Sequence, residues 1–193
     1  VVVAGELARS PVHRTSARAE PVAMLAFTSD EVRRRADSTL VWEEIFTGGQ
    51  AYQRDTLFVP PGSNAVLRFR DGSMLQLEQD SLIVIEAPKA GPQKRARSVN
   101  VELQRGSISG KAGTAGLMIT TGSGSAELSA GAEARVRMNR KSQMHIEKLS
   151  GSAWLRRRAG GKTLQTGAST LLDAQGRPID SAAPRVRLVQ PAY

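Results

Sequence analysis

Leu67-Arg68-Phe69-Arg70-Asp71-Gly72-Ser73-Met74-Leu75-Gln76-Leu77 is the stretch on which the fold is decided. Leu67 and Phe69 alternate with arginines ahead of Asp71-Gly72, and Leu75 and Leu77 alternate with Met74, Gln76 and Glu78 beyond it. A period of two marks a strand with one apolar face, and Asp-Gly between two such runs marks a hairpin. The loop length follows from side-chain parity. A two-residue loop would pair Phe69 with Met74 and Leu67 with Gln76, which turns Leu75 and Leu77 to the wrong face. A three-residue loop, Arg70-Asp71-Gly72, pairs Leu67 with Leu75 and asks Gly72 for a left-handed backbone, which glycine adopts without steric cost. A bulged turn is therefore predicted. Asp71 has two readings, an exposed catalytic carboxylate or a cap for the turn amides, and its place in the hairpin favours the cap.

Similar units follow on both sides. Ser81 to Glu86 (SLIVIE) is a nearly unbroken apolar run, as for a strand covered on both faces. Val99, Val101 and Leu103 alternate with polar residues before Arg105-Gly106 turns the chain into Ile108. Leu117 to Thr121, Ala126 to Leu128, Glu133 to Met138, Met144 to Leu149 and Ala153 to Leu155 continue the series, punctuated by Gly122, Gly124, Gly131, Asn139-Arg140 and Ser150-Gly151. Asp71, Gly72, Gly106, Gly131 and Gly151 are the turn positions on which this reading rests. About a dozen short strands at roughly ten-residue spacing indicate an all-β sandwich, barrel or solenoid, and the sandwich or solenoid is the expectation. The competing helical segment is Asp30 to Ile45, with Ser29 as its cap. There β-branched Thr39 and Val41 and the turn-like Asp37-Ser38 favour two strands. Residues 1–21 hold little apolar periodicity and read as an extended tether, with Val1-Val2-Val3-Ala4-Gly5 as the tail of a membrane or signal segment. Residues 22–176 form the all-β domain. Residues 177–193, with Pro178, Pro184 and Pro191 around Val186-Arg187-Leu188-Val189, read as a linker or a terminal edge strand.

The chain has 193 residues, 40% of them hydrophobic, and only four Phe, two Trp and two Tyr, so its core must be aliphatic. With no cysteine it has no disulfide, thiol nucleophile or cysteine-ligated metal. A net charge of +9 invites acidic partners, yet the basic residues are scattered. The densest runs are Arg33-Arg34-Arg35, Lys94-Arg95 with Arg97, and Arg156-Arg157-Arg158. They are the candidate interaction surface. None is interleaved with aromatics as a base-stacking surface would be, so nucleic acid is disfavoured. An anionic polymer or membrane would require the three runs to converge on one face.

No constellation for catalysis or cofactor binding emerges. His13 lies in the tether, and His145 alternates with apolar neighbours in Met144-His145-Ile146, facing outward. No His/Asp/Glu set has metal-ligand spacing. Gly122-Ser123-Gly124-Ser125 is a turn rather than a nucleophile elbow. Gly161-Lys162-Thr163 lacks the earlier glycine of a phosphate loop, Arg156 standing in its place. Trp42 and Trp154 read as core or interface anchors. The expectation is a non-enzyme with no cofactor and no metal.

The order of motifs resembles the FecR family. Asp55-Thr56-Leu57, Ser63-Asn64-Ala65-Val66-Leu67 and Arg70-Asp71-Gly72-Ser73-Met74 are similar to its opening. Val101 to Ile108, then Ile119-Thr120-Thr121 with Ala130 to Val136, then Leu149 to Trp154, and Thr166-Gly167 follow in the family's order. Gln53-Arg54-Asp55 departs from it by lacking the usual glycine before the aspartate, and Ala132 stands where the family has Thr. The resemblance spans roughly residues 40–176 and implies a periplasmic all-β domain tethered to the inner membrane by an N-terminal segment not included in this chain. It also implies partners among envelope proteins, a second copy in a homo-oligomeric ring included. No trace appears of the short βαβ module found in iron-transport sigma regulators. The expectation is accordingly a structural component of an envelope assembly, with a FecR-type sigma-factor regulator as the alternative.

Overall fold

The computed structural model describes residues 20–86, 98–157, 160–164 and 169–179. Every regular element among them is a strand. In chain order they are β1 (Ala23–Thr28), β2 (Arg33–Arg35), β3 (Glu43–Glu44), β4 (Gln50–Ala51), β5 (Thr56–Val59), β6 (Ala65–Phe69), β7 (Met74–Leu77), β8 (Ser81–Glu86) and β9 (Val99–Lys111). There follow β10 (Leu117–Thr121), β11 (Gly124–Leu128), β12 (Glu133–Met138), β13 (Met144–Ser150), β14 (Ala153–Arg157), β15 (Gly160–Leu164), β16 (Ser169–Leu172) and β17 (Pro178–Ile179). The Asp30–Ile45 segment supplies β2 and β3, not a helix. Residues 1–19 of the expected tether, residues 94, 95, 97 and 158, and the stretch from 180 onward lie outside the described residues.

Each sheet has nine strands, and the two share β9. One runs β4-β1-β6-β7-β9-β12-β13-β16-β17, the other β3-β2-β5-β8-β9-β10-β11-β14-β15. Val99 to Glu102 pair with β10 in the only parallel ladder among the described residues, and Asn100 to Arg105 pair with β8. Gly106 to Lys111 then pair with β12 in the opposite layer. The change of layer occurs at Gly106, whose φ is 92°. A Cβ there would lie 2.4 Å from Ser81 Oγ and 2.5 Å from Ser81 Cα, so both backbone and space demand glycine. Ser81 Oγ fastens the crossing by donating to Ser107 O and accepting from Ser107 N–H.

The two layers enclose one aliphatic core. Leu67, Leu75, Leu77, Ile108, Val136 and Ile146 come from one sheet, and Leu57, Ile83, Leu103, Leu117, Ile119 and Leu155 from the other, all nearly inaccessible. Each such side chain contributes about 1.5–3 kcal/mol on leaving water. The hairpin has the expected register. Leu67 faces Leu75, Phe69 N–H donates to Ser73 O, and Gly72 has a φ of 85°.

One expectation is corrected. β8 is covered on one face only: Ser81, Ile83 and Ile85 are buried, while Leu82 and Val84 are half-exposed. On that outer face Leu82 stands beside Phe58 in register.

Candidate interaction surface

The arginines of β2 point alternately inward and outward, and this divides their roles. Arg34 stands opposite Leu57 on the core side of the sheet. Its guanidinium donates to Glu43 from Nε at 2.7 Å and to the Gln50 carbonyl from Nη1 at 2.7 Å. It also lies over the Tyr52 ring and 3.6 Å from Asp55 Oδ2. Arg34 thereby ties β2, β3 and the 50–55 loop together and is a structural arginine. Asp55 is 2% exposed and accepts the Tyr52 N–H. Burial raises its carboxyl above the ordinary value, against the pull of the Tyr52 N–H and Arg34.

Arg35 and Arg33 point outward. Arg33, Phe58, Leu82 and Arg105 stand in register across β2, β5, β8 and β9. Arg35 lies 5.1 Å over the Trp42 ring, Trp42 meets Phe58 edge-on with centroids 6.4 Å apart, and Arg105 lies 5.3 Å from the Phe58 centroid. Cation–π contacts thus bracket an aromatic pair on an open sheet face. Beside it the chain exposes Leu40 (88%), Val41 (70%) and Phe46 (64%). Single exposed apolar residues are ordinary; four within Leu40–Phe46, Trp42 among them, mark this segment as a candidate interaction surface. The sequence offered one sign of it: three successive apolar residues cannot all face one side of a strand.

Arg156 and Arg157 lie on β14 of the same sheet. Arg156 pairs with Glu127 at 2.9 Å, and Arg157 follows it toward the β14–β15 turn. Five strands separate β14 from β2, so these two runs do not meet. Trp154 is also exposed, in register with Glu127. Asp71 acts within its hairpin, its carboxylate accepting from Ser73 N–H and Ser73 Oγ–H. Ser73 Oγ in turn accepts from Gly113 N–H at 2.8 Å and locks the turn to the end of β9. Gly131 and Gly151 are also left-handed, with φ of 75° and 69°. His145 is half-buried between Arg137 and Leu171 in register. Among the described residues no three His, Asp or Glu side chains gather as a metal site would require. A cleft of about 150 Å³, lined by Val22, Phe69, Ile85 and Val99, is mainly apolar.

A family model described as FecR protein matches residues 55–153. Two crystal structures of a candidate anti-sigma factor from Parabacteroides distasonis, at 1.65 and 2.50 Å, are similar in fold. Their TM-scores are 0.51 and 0.50, with 12% and 11% sequence identity. The similarity covers 63% of this chain and 56% of each neighbour, so the chain spans little more than half their length. No curated protein sequence matches it.

Proposed function

With a FecR protein model matching just over half its length, the chain belongs to the FecR family, and from this premise we propose that it is the protein-binding domain of an anti-sigma-type signalling regulator. FecR-type proteins are regulatory, and the fold neighbours described as anti-sigma factors favour a regulator over a structural subunit of an envelope assembly. The periplasm is the proposed location, with the domain tethered to the inner membrane. No helix among the described residues is long and apolar enough to cross a membrane. The observation that carries the reading is the exposed run Leu40–Phe46 beside the Arg35–Trp42–Phe58–Arg105 ladder. An aromatic-rich apolar patch rimmed by arginines has the composition of a protein-binding hot spot. The anionic-polymer reading depends on convergence of the basic runs, and the two described runs stand apart.

Transcript profiling of a strain lacking the protein tests this. A narrow set of genes is expected to change, and the wild-type chain is expected to restore it. A chain carrying Trp42→Ala and Phe46→Ser at equal abundance is expected not to. Unchanged transcripts in the deletion strain would overturn the signalling role. Full restoration by the double variant would remove this surface from it.

A further inference from the structure

The strand β3 ends its sheet. Glu43 and Glu44 pair with Arg34 and Arg33 of β2 on one side, and no strand among the described residues pairs on the other. An open edge presents unpaired N–H and C=O groups to any extended segment of compatible side chains. This edge is short and both of its residues are glutamates, which disfavours pairing with a like edge, while exposed Leu40, Val41, Trp42 and Phe46 flank it. Its two faces differ. Trp42 and Glu44 lie on the outer face with Phe58 and Arg33, while Glu43 and the buried Ile45 lie on the core side with Arg34. A strand that fits must offer apolar residues inward and cations outward, at alternate positions.

The chain contains such a segment in Arg185-Val186-Arg187-Leu188-Val189. Val186 and Leu188 on one face would extend the core beyond Ile45, and Arg185 and Arg187 on the other would meet Glu44 and the Trp42 ring. We infer that this segment of one copy adds to the β3 edge of a second copy, joining molecules head to tail. The inference rests on Leu40–Phe46 being a protein-binding surface and names its occupant.

Reach favours a second copy over the same chain. β17 closes the far end of the two-layer stack and β3 the near end, eight strand spacings apart. At about 4.8 Å each that is roughly 38 Å. From Ile179 to Arg187 the fully extended chain spans at most about 29 Å. Charge favours the second copy over the nearer edge of β15. That strand opens with Gly160 and Gly161 opposite Arg157 and Arg156, so it would bring an arginine-bearing segment against like charge and offer little side chain. The ends of the molecule are opposite in sign as well. Residues 29–55 hold six carboxylates and four arginines, whereas residues 133–179 hold ten lysines and arginines against three carboxylates. Complementary ends on one molecule make a heterologous contact, which closes into a ring or continues as a filament.

Sedimentation of the full chain over a concentration series, at low and high salt, reads the association. Species larger than a monomer, weakened by salt, are expected. Glu44→Lys and Arg187→Glu are each expected to weaken association about tenfold by opposing like charges, and the double variant to recover it by restoring an opposite pair. A peptide of residues 183–193 is expected to break the assemblies into monomers. A chain that stays monomeric at every concentration overturns the inference, as do single variants that associate like the wild type or a double variant without recovery. If it is monomeric while Trp42→Ala with Phe46→Ser still abolishes regulation, the surface serves a different protein, and only the self-association falls.

Discussion

Arg54 and Asp55 show how a departure from family pattern is accommodated. Arg54 sits where FecR-type sequences have glycine, and its φ is 69°, a conformation costly for a side chain bearing Cβ. Its ion pair with Asp37 is exposed on both sides and compensates little. Arg54→Gly relieves the strain but adds freedom to the unfolded chain. A net gain of about 0.5–1 kcal/mol is expected, read as a rise in thermal midpoint. A fall would show that the Arg54 contacts outweigh the strain. Asp55 behaves differently. Because burial raises its carboxyl above 3.8, the folded state holds the proton more tightly than the unfolded chain. The stability it contributes is complete below that value and is lost as pH climbs through the raised one. Asp55→Asn keeps an oxygen for the Tyr52 N–H without the charge. It should match or exceed wild-type stability at pH 7 and lose any advantage near pH 3, where Asp55 is itself neutral. A variant less stable than wild type at pH 7 would show that Arg34 outweighs burial.

Elements depend on glycine for two separable reasons, and two substitutions distinguish them. Gly106 and Gly131 are both left-handed, but a Cβ at Gly131 meets nothing within 4 Å, whereas at Gly106 it strikes Ser81 and the Asp80 carbonyl. Gly131→Ala is expected to cost only the backbone term, about 1 kcal/mol. Gly106→Ala, which must also push β8 from β9, is expected to cost about 3 kcal/mol or more in denaturant unfolding. Equal losses would mean that the layer crossing has slack. These elements also show what the sequence could disclose. The hairpin register was legible because Leu67, Phe69, Leu75 and Leu77 must share a face, which only an odd loop allows. Gly106 was legible as a turn but not as the point where one strand changes sheets, because Val99–Lys111 alternates on both sides of it and pairing partners leave no local mark. SLIVIE misled for the same reason, since periodicity cannot tell a covered outer face from one where Leu82 stands beside Phe58 and Val84 beside Thr56. The exposed Leu40–Phe46 patch was hidden because apolar residues are expected inside, and exposure depends on what the completed fold leaves uncovered.

For the whole molecule, the position of β9 sets how it unfolds. It is the middle strand of both sheets, paired with β8 and β10 in one layer and with β7 and β12 in the other. The strands before it and after it meet chiefly through it, apart from contacts such as the Thr114 N–H donating to the Asp71 carbonyl and the Arg135–Glu78 ion pair. Neither half can keep its inner edge paired once β9 leaves, so the domain should unfold in one cooperative step although its two halves are separate in sequence. Hydrogen exchange should then grade with distance from β9, slowest in Val101–Ile108 and fastest in the two-residue strands β3 and β17 at the ends. Ile108→Ala tests the coupling most directly, because Ile108 is fully buried and pairs in only one layer. Its loss should cost about 2–5 kcal/mol. If β9 couples the halves, slow-exchanging amides in β5 and β8, across the core, will lose as much protection as those in β12 and β13. Loss confined to β12 and β13, or two separate unfolding transitions, would show instead that the sandwich is two independent units joined by a strand.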